Sequence, residues 1–153
     1  GHSLQKVKMK ETGALLAGEL SGHIMVADDY FGFDDALYDA CRLISLLSHT
    51  QRSLAEMVHK FPKYVSTPEI RIDVTEEQKW NIVEKAVTHY KTTHDVIEVD
   101  GARVQFGNGW ALLRTSNTQP VIVARFEART QERLDEIRSE VAEWLSQYDV
   151  SLP

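Results

Sequence analysis

Arg114-Thr115-Ser116-Asn117-Thr118 is a run whose residue types suit an oxyanion. The planar guanidinium of Arg114 presents paired donors that match two phosphate oxygens. Ser116 and Thr118 add hydroxyl donors. Asn117 tolerates left-handed backbone geometry, which would let successive N–H groups converge on an anion. Pro120 then ends the loop stiffly. The competing reading is an ordinary polar connection with a solvated arginine. A second group is Gly18-Glu19-Leu20-Ser21-Gly22-His23. Glu19 and Ser21 can accept and donate hydrogen bonds to sugar hydroxyls, and His23 can do the same or move a proton near neutral pH. On a helix, Glu19 and His23 would have the spacing of a metal pair. Gly18 and Gly22 argue against a helix, so no metal site is expected. Here the competing reading is a tight turn whose polar residues satisfy the backbone.

Other polar residues carry weaker signals. His49 and His59 fall near helix ends, and His89 and His94 flank a helix-to-strand turn. Asp28-Asp29 and Asp34-Asp35 read as caps and solvated loop rather than a cation site. Arg125 lies on the strand after the 114–118 loop and either faces the same pocket or points outward.

These loops need elements to hold them. Ala14 to Ala17 is an apolar run before a loop, and Ile24 to Val26 resumes an extended pattern. Asp34 and Asp35 offer an N-cap to a helix whose stripe is Leu37, Ala40, Leu43, Ile44 and Leu47. Ser53 and Glu56 form a capping box for a shorter helix ending near Phe61-Pro62. Pro62 to Pro68 reads as a linker. Beyond it come a strand at Ile70 to Val74, a capping box at Thr75 and Gln78, and a helix with Trp80, Val83, Val87 and Tyr90 on one face. Val96 to Val99, a turn at Asp100-Gly101, and Arg103 to Phe106 follow. Asn108-Gly109 predicts a two-residue hairpin turn. Trp110 to Leu113 and Val121 to Phe126 are the strands on either side of the 114–118 loop. The last helix starts after Thr130 and buries Leu134, Ile137, Val141, Trp144 and Tyr148. This order predicts an α+β layer, with helices on one face of a mostly antiparallel sheet.

The chain has 153 residues, enough for one domain or two small ones. Its formal net charge of -6 argues against non-specific nucleic-acid binding, which needs a basic face to displace counterions. No apolar run approaches the ~20 residues of a membrane span, and no signal-peptide pattern opens the sequence. The single cysteine, Cys41, excludes an intrachain disulfide, is expected to pack as a small hydrophobe, and fits a reducing cytoplasm. The first residue is Gly1 rather than Met, so a processed chain or a piece of a longer one is expected.

Taken together, the two loops resemble those of the α-D-phosphohexomutases of the bacterial phosphomannomutase/phosphoglucomutase type. Gly18-Glu19-Leu20-Ser21-Gly22-His23 is similar to the family's sugar-binding loop, with leucine in place of its usual methionine. Arg114 to Pro120 is similar to the family's C-terminal phosphate-binding loop, with Gln119 at a position often acidic or threonine in relatives. Gly1-His2-Ser3, Lys8 to Gly13, and Phe31-Gly32-Phe33-Asp34-Asp35 also fit family segments. The resemblance implies that residues 1–65 are the C-terminal half of an α/β domain 3. It further implies that residues 66–153 are domain 4, a TATA-binding-protein-like α+β unit.

The resemblance also implies an activity: interconversion of hexose 1-phosphates and 6-phosphates through a phosphoserine and a hexose 1,6-bisphosphate intermediate, with Mg2+. The serine and the metal ligands would belong to domains that this chain lacks, because no Ser-His-Asn-Pro and no Asp-Gly-Asp-Gly-Asp occurs in it. Arg114, Ser116, Asn117 and Thr118 would then hold the phosphate that is not reacting. Glu19 and Ser21 would bind sugar hydroxyls, and His2 and His23 would be candidates for hydrogen bonding or acid/base work. The expected partners are a phosphorylated hexose and the remaining N-terminal domains, with isolated residues 1–153 inactive. The alternatives are a stand-alone phosphosugar-binding module and an interaction domain whose loops are solvated turns.

Overall fold

The computed structural model describes residues 1–19 and 21–153. The chain divides into two compact units, residues 1–62 and 63–153. The first opens on helix α1 (His2–Thr12), which ends at Gly13. The sequence pattern did not predict this helix: Leu4 and Val7 are exposed, and only Met9 is buried. Strands β1 (Leu16–Gly18) and β2 (Ile24–Val26) form an antiparallel hairpin, with Leu16 opposite Val26 and Gly18 opposite Ile24.

Helix α2 (Ala36–Ser48) is capped by Asp35 alone, whose carboxylate accepts the amides of Leu37 and Tyr38. The Tyr30 hydroxyl also donates to Asp35 Oδ2 at 2.7 Å. That hydroxyl first, and the Tyr38 amide second, hold the Asp35 carboxyl below its usual range. The Ser53–Glu56 capping box forms as expected at the start of α3 (Leu54–Val58). The expected burial of α2 does not occur. None of its residues is buried, Leu37 is 82% exposed, and Cys41 is exposed rather than packed. The reason is local: the sheet of this unit has two short strands, too little surface to cover a four-turn apolar stripe.

In the second unit, β3 (Val65–Ser66), β4 (Ile70–Asp73), β5 (Val96–Ile97), β6 (Ala102–Gln105), β7 (Gly109–Thr115) and β8 (Val121–Ala128) form one antiparallel sheet. The order is β3-β8-β7-β6-β5, and β4 also pairs with β8. β3 and β4 therefore share one edge of β8: Val65 lies opposite Ala128 and Asp73 opposite Val121. Between them Thr67 donates its amide to the Phe126 carbonyl and accepts the Phe126 amide at its Oγ1. The segment that reads as a linker is thus partly strand. Pro68 sits at the sheet edge, where its missing N–H costs no ladder bond.

Burial alternates along β7, as the pleat requires. Ala111 and Leu113 join Val104, Phe106, Ile122, Ala124 and Phe126 in the core beneath α4 (Glu76–Tyr90) and α5 (Gln131–Ser146). The predicted stripe of α5 is observed, with Leu145 buried in addition and Tyr148 partly buried. The predicted face of α4 is rotated. Ile82, Val83, Ala86 and Tyr90 are buried together with Lys79, while Trp80 is 53% exposed. The β6–β7 hairpin exists, but its positive φ falls on Gly107 (75°), one residue before the predicted pair. Phe106 donates its amide to the Gly109 carbonyl, so Gly109 already belongs to the strand. Gly109 has a packing reason: a Cβ there would lie 2.6 Å from Ile137 Cδ1 and 2.7 Å from the Glu127 carbonyl.

The Thr75–Gln78 capping box closes the start of α4 on both sides. Thr75→Ala is expected to lower the stability of this unit by about 1 kcal/mol. Urea unfolding followed by tryptophan fluorescence checks this, because Trp80, Trp110 and Trp144 all lie in the unit.

Candidate functional site

The β7–β8 hairpin builds the first cluster. Arg114 sits on the face of the sheet opposite the helices, with Nη2 4.0 Å from Glu69 Oε2. The loop is closed by Ser116 N–H to the Val121 carbonyl at 3.0 Å and by Val121 N–H to the Gln119 carbonyl at 2.9 Å, across Pro120. Ser116 is buried, and its Oγ accepts the amides of Thr118 (3.3 Å) and Gln119 (3.2 Å). Asn117 and Thr118 face solvent. Arg71 donates to Gln119 Oε1.

The backbone cradle expected from Asn117 does not form in this way. Among the described residues, positive φ outside glycine occurs at Asp29 and Asp149, not at Asn117. The 118 and 119 amides turn inward onto Ser116 Oγ, and the Thr118 hydroxyl lies 3.5 Å from the same oxygen, so the groups left to meet a ligand are the half-buried Arg114 and the exposed Asn117 and Thr118 side chains. Arg125 is on the same sheet face as Arg114, since it lies opposite Leu112 while Arg114 lies opposite Val123. Its Nε is buried without a hydrogen-bond partner among the described residues.

Sequence reading missed Lys79. Its ammonium donates to the Ser116 carbonyl at 2.7 Å and the Gln119 carbonyl at 3.2 Å, and pairs with Glu76 Oε1 at 2.7 Å. A lysine in a helix reads as solvated, but the spacing of Lys79, Ile82, Val83 and Ala86 places it on the buried face.

The second cluster lies in the first unit, in the β1–β2 turn and at the start of α1. The Glu19 amide donates to the His23 carbonyl at 2.8 Å, and Gly22 donates to the Glu19 carbonyl at 3.0 Å. Leu20 lies outside the described residues. Ser21 Oγ donates to Glu19 Oε2 at 3.4 Å, while Glu19 Oε1 is buried with no hydrogen-bond partner among the described residues. A buried carboxylate oxygen lacking a donor suits a ligand hydroxyl. Gln5 of α1 donates to the Gly18 carbonyl, and the rings of His2 and His23 have centroids 6.0 Å apart. All four residues expected in this cluster, His2, Glu19, Ser21 and His23, are thus neighbours. Asp34, which reads as a cap, instead holds His23: Nδ1 is 2.6 Å from Asp34 Oδ2. A proton on Nδ1 would face the carboxylate and leave Nε2 for a ligand. The signal was the doubled aspartate, of which only one can cap.

Among the described residues, no three His, Cys, Asp or Glu side chains gather as a metal site, and no helix is long and apolar enough to cross a membrane.

Two family models match the chain. Residues 1–64 match "Phosphoglucomutase/phosphomannomutase, alpha/beta/alpha domain III", and residues 69–144 match "Phosphoglucomutase/phosphomannomutase, C-terminal domain". The chain is 48% identical over 154 aligned residues to a phosphomannomutase/phosphoglucomutase of Pseudomonas aeruginosa strain PAO1, covering 100% of this chain and 33% of that protein. It is 41% identical to a phosphoglucomutase of Neisseria gonorrhoeae, covering 91% of this chain and 31% of that one. A crystal structure of a phosphoglucomutase/phosphomannomutase family protein from Burkholderia thailandensis superposes with a TM-score of 0.84 at 37% identity, over 100% of this chain and 33% of that one. The chain therefore spans about a third of the length of the relatives it matches.

Proposed function

The chain belongs to the phosphoglucomutase/phosphomannomutase family, and on that premise we propose that it is the substrate-positioning part of an enzyme interconverting hexose 1-phosphates and 6-phosphates. Residues 1–65 would serve as the sugar-binding half of domain 3 and residues 66–153 as the phosphate-binding domain 4. The observation that carries the reading is the 114–120 loop, whose interior is fixed by its own hydrogen bonds while Arg114, Asn117 and Thr118 remain outward. Arg114 supplies a charged fork for the phosphate that is not reacting, with Asn117 and Thr118 completing its donors and Ser116 holding the loop. Glu19 and Ser21 accept and donate to the sugar hydroxyls in either orientation of a hexose 1,6-bisphosphate. His23, held through Nδ1 by Asp34, offers Nε2 for a hydroxyl proton, and His2 stands beside it.

Phosphoryl transfer rests on positioning and charge stabilisation. The donor phosphoserine and Mg2+ would reside in other domains of the enzyme. The exposed apolar residues of the first unit, among them Leu16, Phe31, Leu37 and Ile44, support a partner there. On this reading the remaining domains of the same enzyme cover them, residues 1–153 alone have no mutase activity, and the setting is the cytoplasm.

A charged hydrogen bond contributes ~1.5–3 kcal/mol, and association costs at least ~4 kcal/mol. Three or four contacts therefore give residues 1–153 a dissociation constant for glucose 1-phosphate on the order of 0.1–10 mM. Calorimetric or NMR titration of the wild type against Arg114→Ala tests this. Saturable binding that Arg114→Ala abolishes supports the site. No binding at tens of millimolar with the fold intact counts against it.

A further inference from the structure

We infer that Lys79 is a positioning residue of the phosphate site: its buried ammonium locks the 116–119 loop and leaves positive charge beneath it. This rests on the phosphate reading of that loop. Lys79 is 1% exposed, on a helix face otherwise apolar. Burying an ammonium costs several kcal/mol unless every proton finds an acceptor. Here all three do, and two of the acceptors are the carbonyls of Ser116 and Gln119, the residues on either side of Asn117 and Thr118. With Ser116 Oγ engaging the 118 and 119 amides, the loop is held from both its donor and its acceptor side. The side chains that reach outward do so from a fixed base.

A neutral amide could satisfy those carbonyls at lower desolvation cost, so the charge itself needs an explanation. Glu76, the carboxylate paired with Lys79 among the described residues, is 67% exposed. Its negative charge is screened by water, whereas the ammonium is dry and its field is not. The floor of the loop therefore carries a net positive potential, which suits a dianionic phosphate ester and has no use in a solvated turn.

The test is an NMR titration of residues 1–153 with inorganic phosphate, read at the amides of Ser116 to Gln119, on wild type, Lys79→Met and Glu76→Gln. Lys79→Met is expected to weaken binding by at least about tenfold. Glu76→Gln removes an exposed carboxylate, leaves the loop contacts in place, and is expected to tighten binding about two- to fivefold. A lysine with a merely structural role would leave phosphate affinity unchanged in a folded Lys79→Met chain. Phosphate affinity within a factor of about two of wild type in a folded Lys79→Met chain overturns the inference. Should Lys79→Met fail to fold by circular dichroism, unchanged or weaker binding in Glu76→Gln overturns it. A wild-type chain with no saturable shift removes the phosphate reading itself and this inference with it. Binding that is lost in Arg114→Ala but kept in Lys79→Met removes only the role of Lys79.

Discussion

Gly101→Ala is expected to destabilise the second unit by roughly 3 kcal/mol or more. Gly101 has φ of 84°, a region that costs an alanine about 1–2 kcal/mol. A Cβ there would lie 2.3 Å from the Leu113 carbonyl oxygen and 2.8 Å from both Cα and Cβ of Arg114. The nearest obstacle is backbone of a central strand, not a flexible side chain, so relief requires moving β7 or opening the turn. Overpacking of this kind adds about 1–3 kcal/mol. The displaced strand is the one that delivers Arg114, so phosphate binding should weaken beyond what the fraction unfolded explains. Urea unfolding followed by tryptophan fluorescence, with a phosphate titration under folded conditions, measures both. A stability loss under about 1 kcal/mol would show that the 100–101 turn slides away from β7 freely.

Phe126→Ala is expected to cost about 4 kcal/mol, the range for emptying a fully buried aromatic site. Phe126 is 0% exposed and stands opposite Ala111, so no large neighbour on β7 can fill the space. Trp80→Ala, by contrast, should change stability by less than about 1 kcal/mol despite the larger side chain, because Trp80 is on the exposed side of α4. Denaturation of Phe126→Ala followed by fluorescence and of Trp80→Ala followed by far-UV circular dichroism separates the two. Equal losses would mean that the face of α4 is assigned wrongly.

The contrast between Phe126 and Trp80 marks what could be read from the residues. Caps are written in a few adjacent positions, so Asp35, Ser53–Glu56 and Thr75–Gln78 were legible. The alternating strands around Arg114 and the stripe of α5 were legible for the same reason: their period is carried by many residues. The face of α4 was not, because Trp80 is apolar and Lys79 charged, and only the packed sheet decides which of two neighbours turns inward. Helix α1 buries a single methionine and so has almost no period to read. The stripe of α2 was legible as a helix but not as exposed, since exposure depends on what else is present to cover it.

The candidate sites were legible as residue types and not as networks. Arg114, Ser116, Glu19 and His23 could be named from spacing. Lys79 lies 37 positions before Ser116 and Asp34 lies 11 after His23, so no local pattern links either to the residue it holds. Asn117 shows the converse error, a local preference that its loop did not use.

The shared edge of β8 has a consequence for the protein's solubility. β8 reads Val-Ile-Val-Ala-Arg-Phe-Glu-Ala and is the longest strand. Among the described residues its outer edge is paired by β3, Thr67 and β4, supplied by residues 65–73. The opposite edge of the sheet ends in the two-residue β5, too short to template another chain. Residues 65–73 thus act as a sheath as well as a connection. Proteolysis after Asp73 would strip it away and leave eight residues of strongly β-prone backbone free to recruit a second copy into an intermolecular sheet.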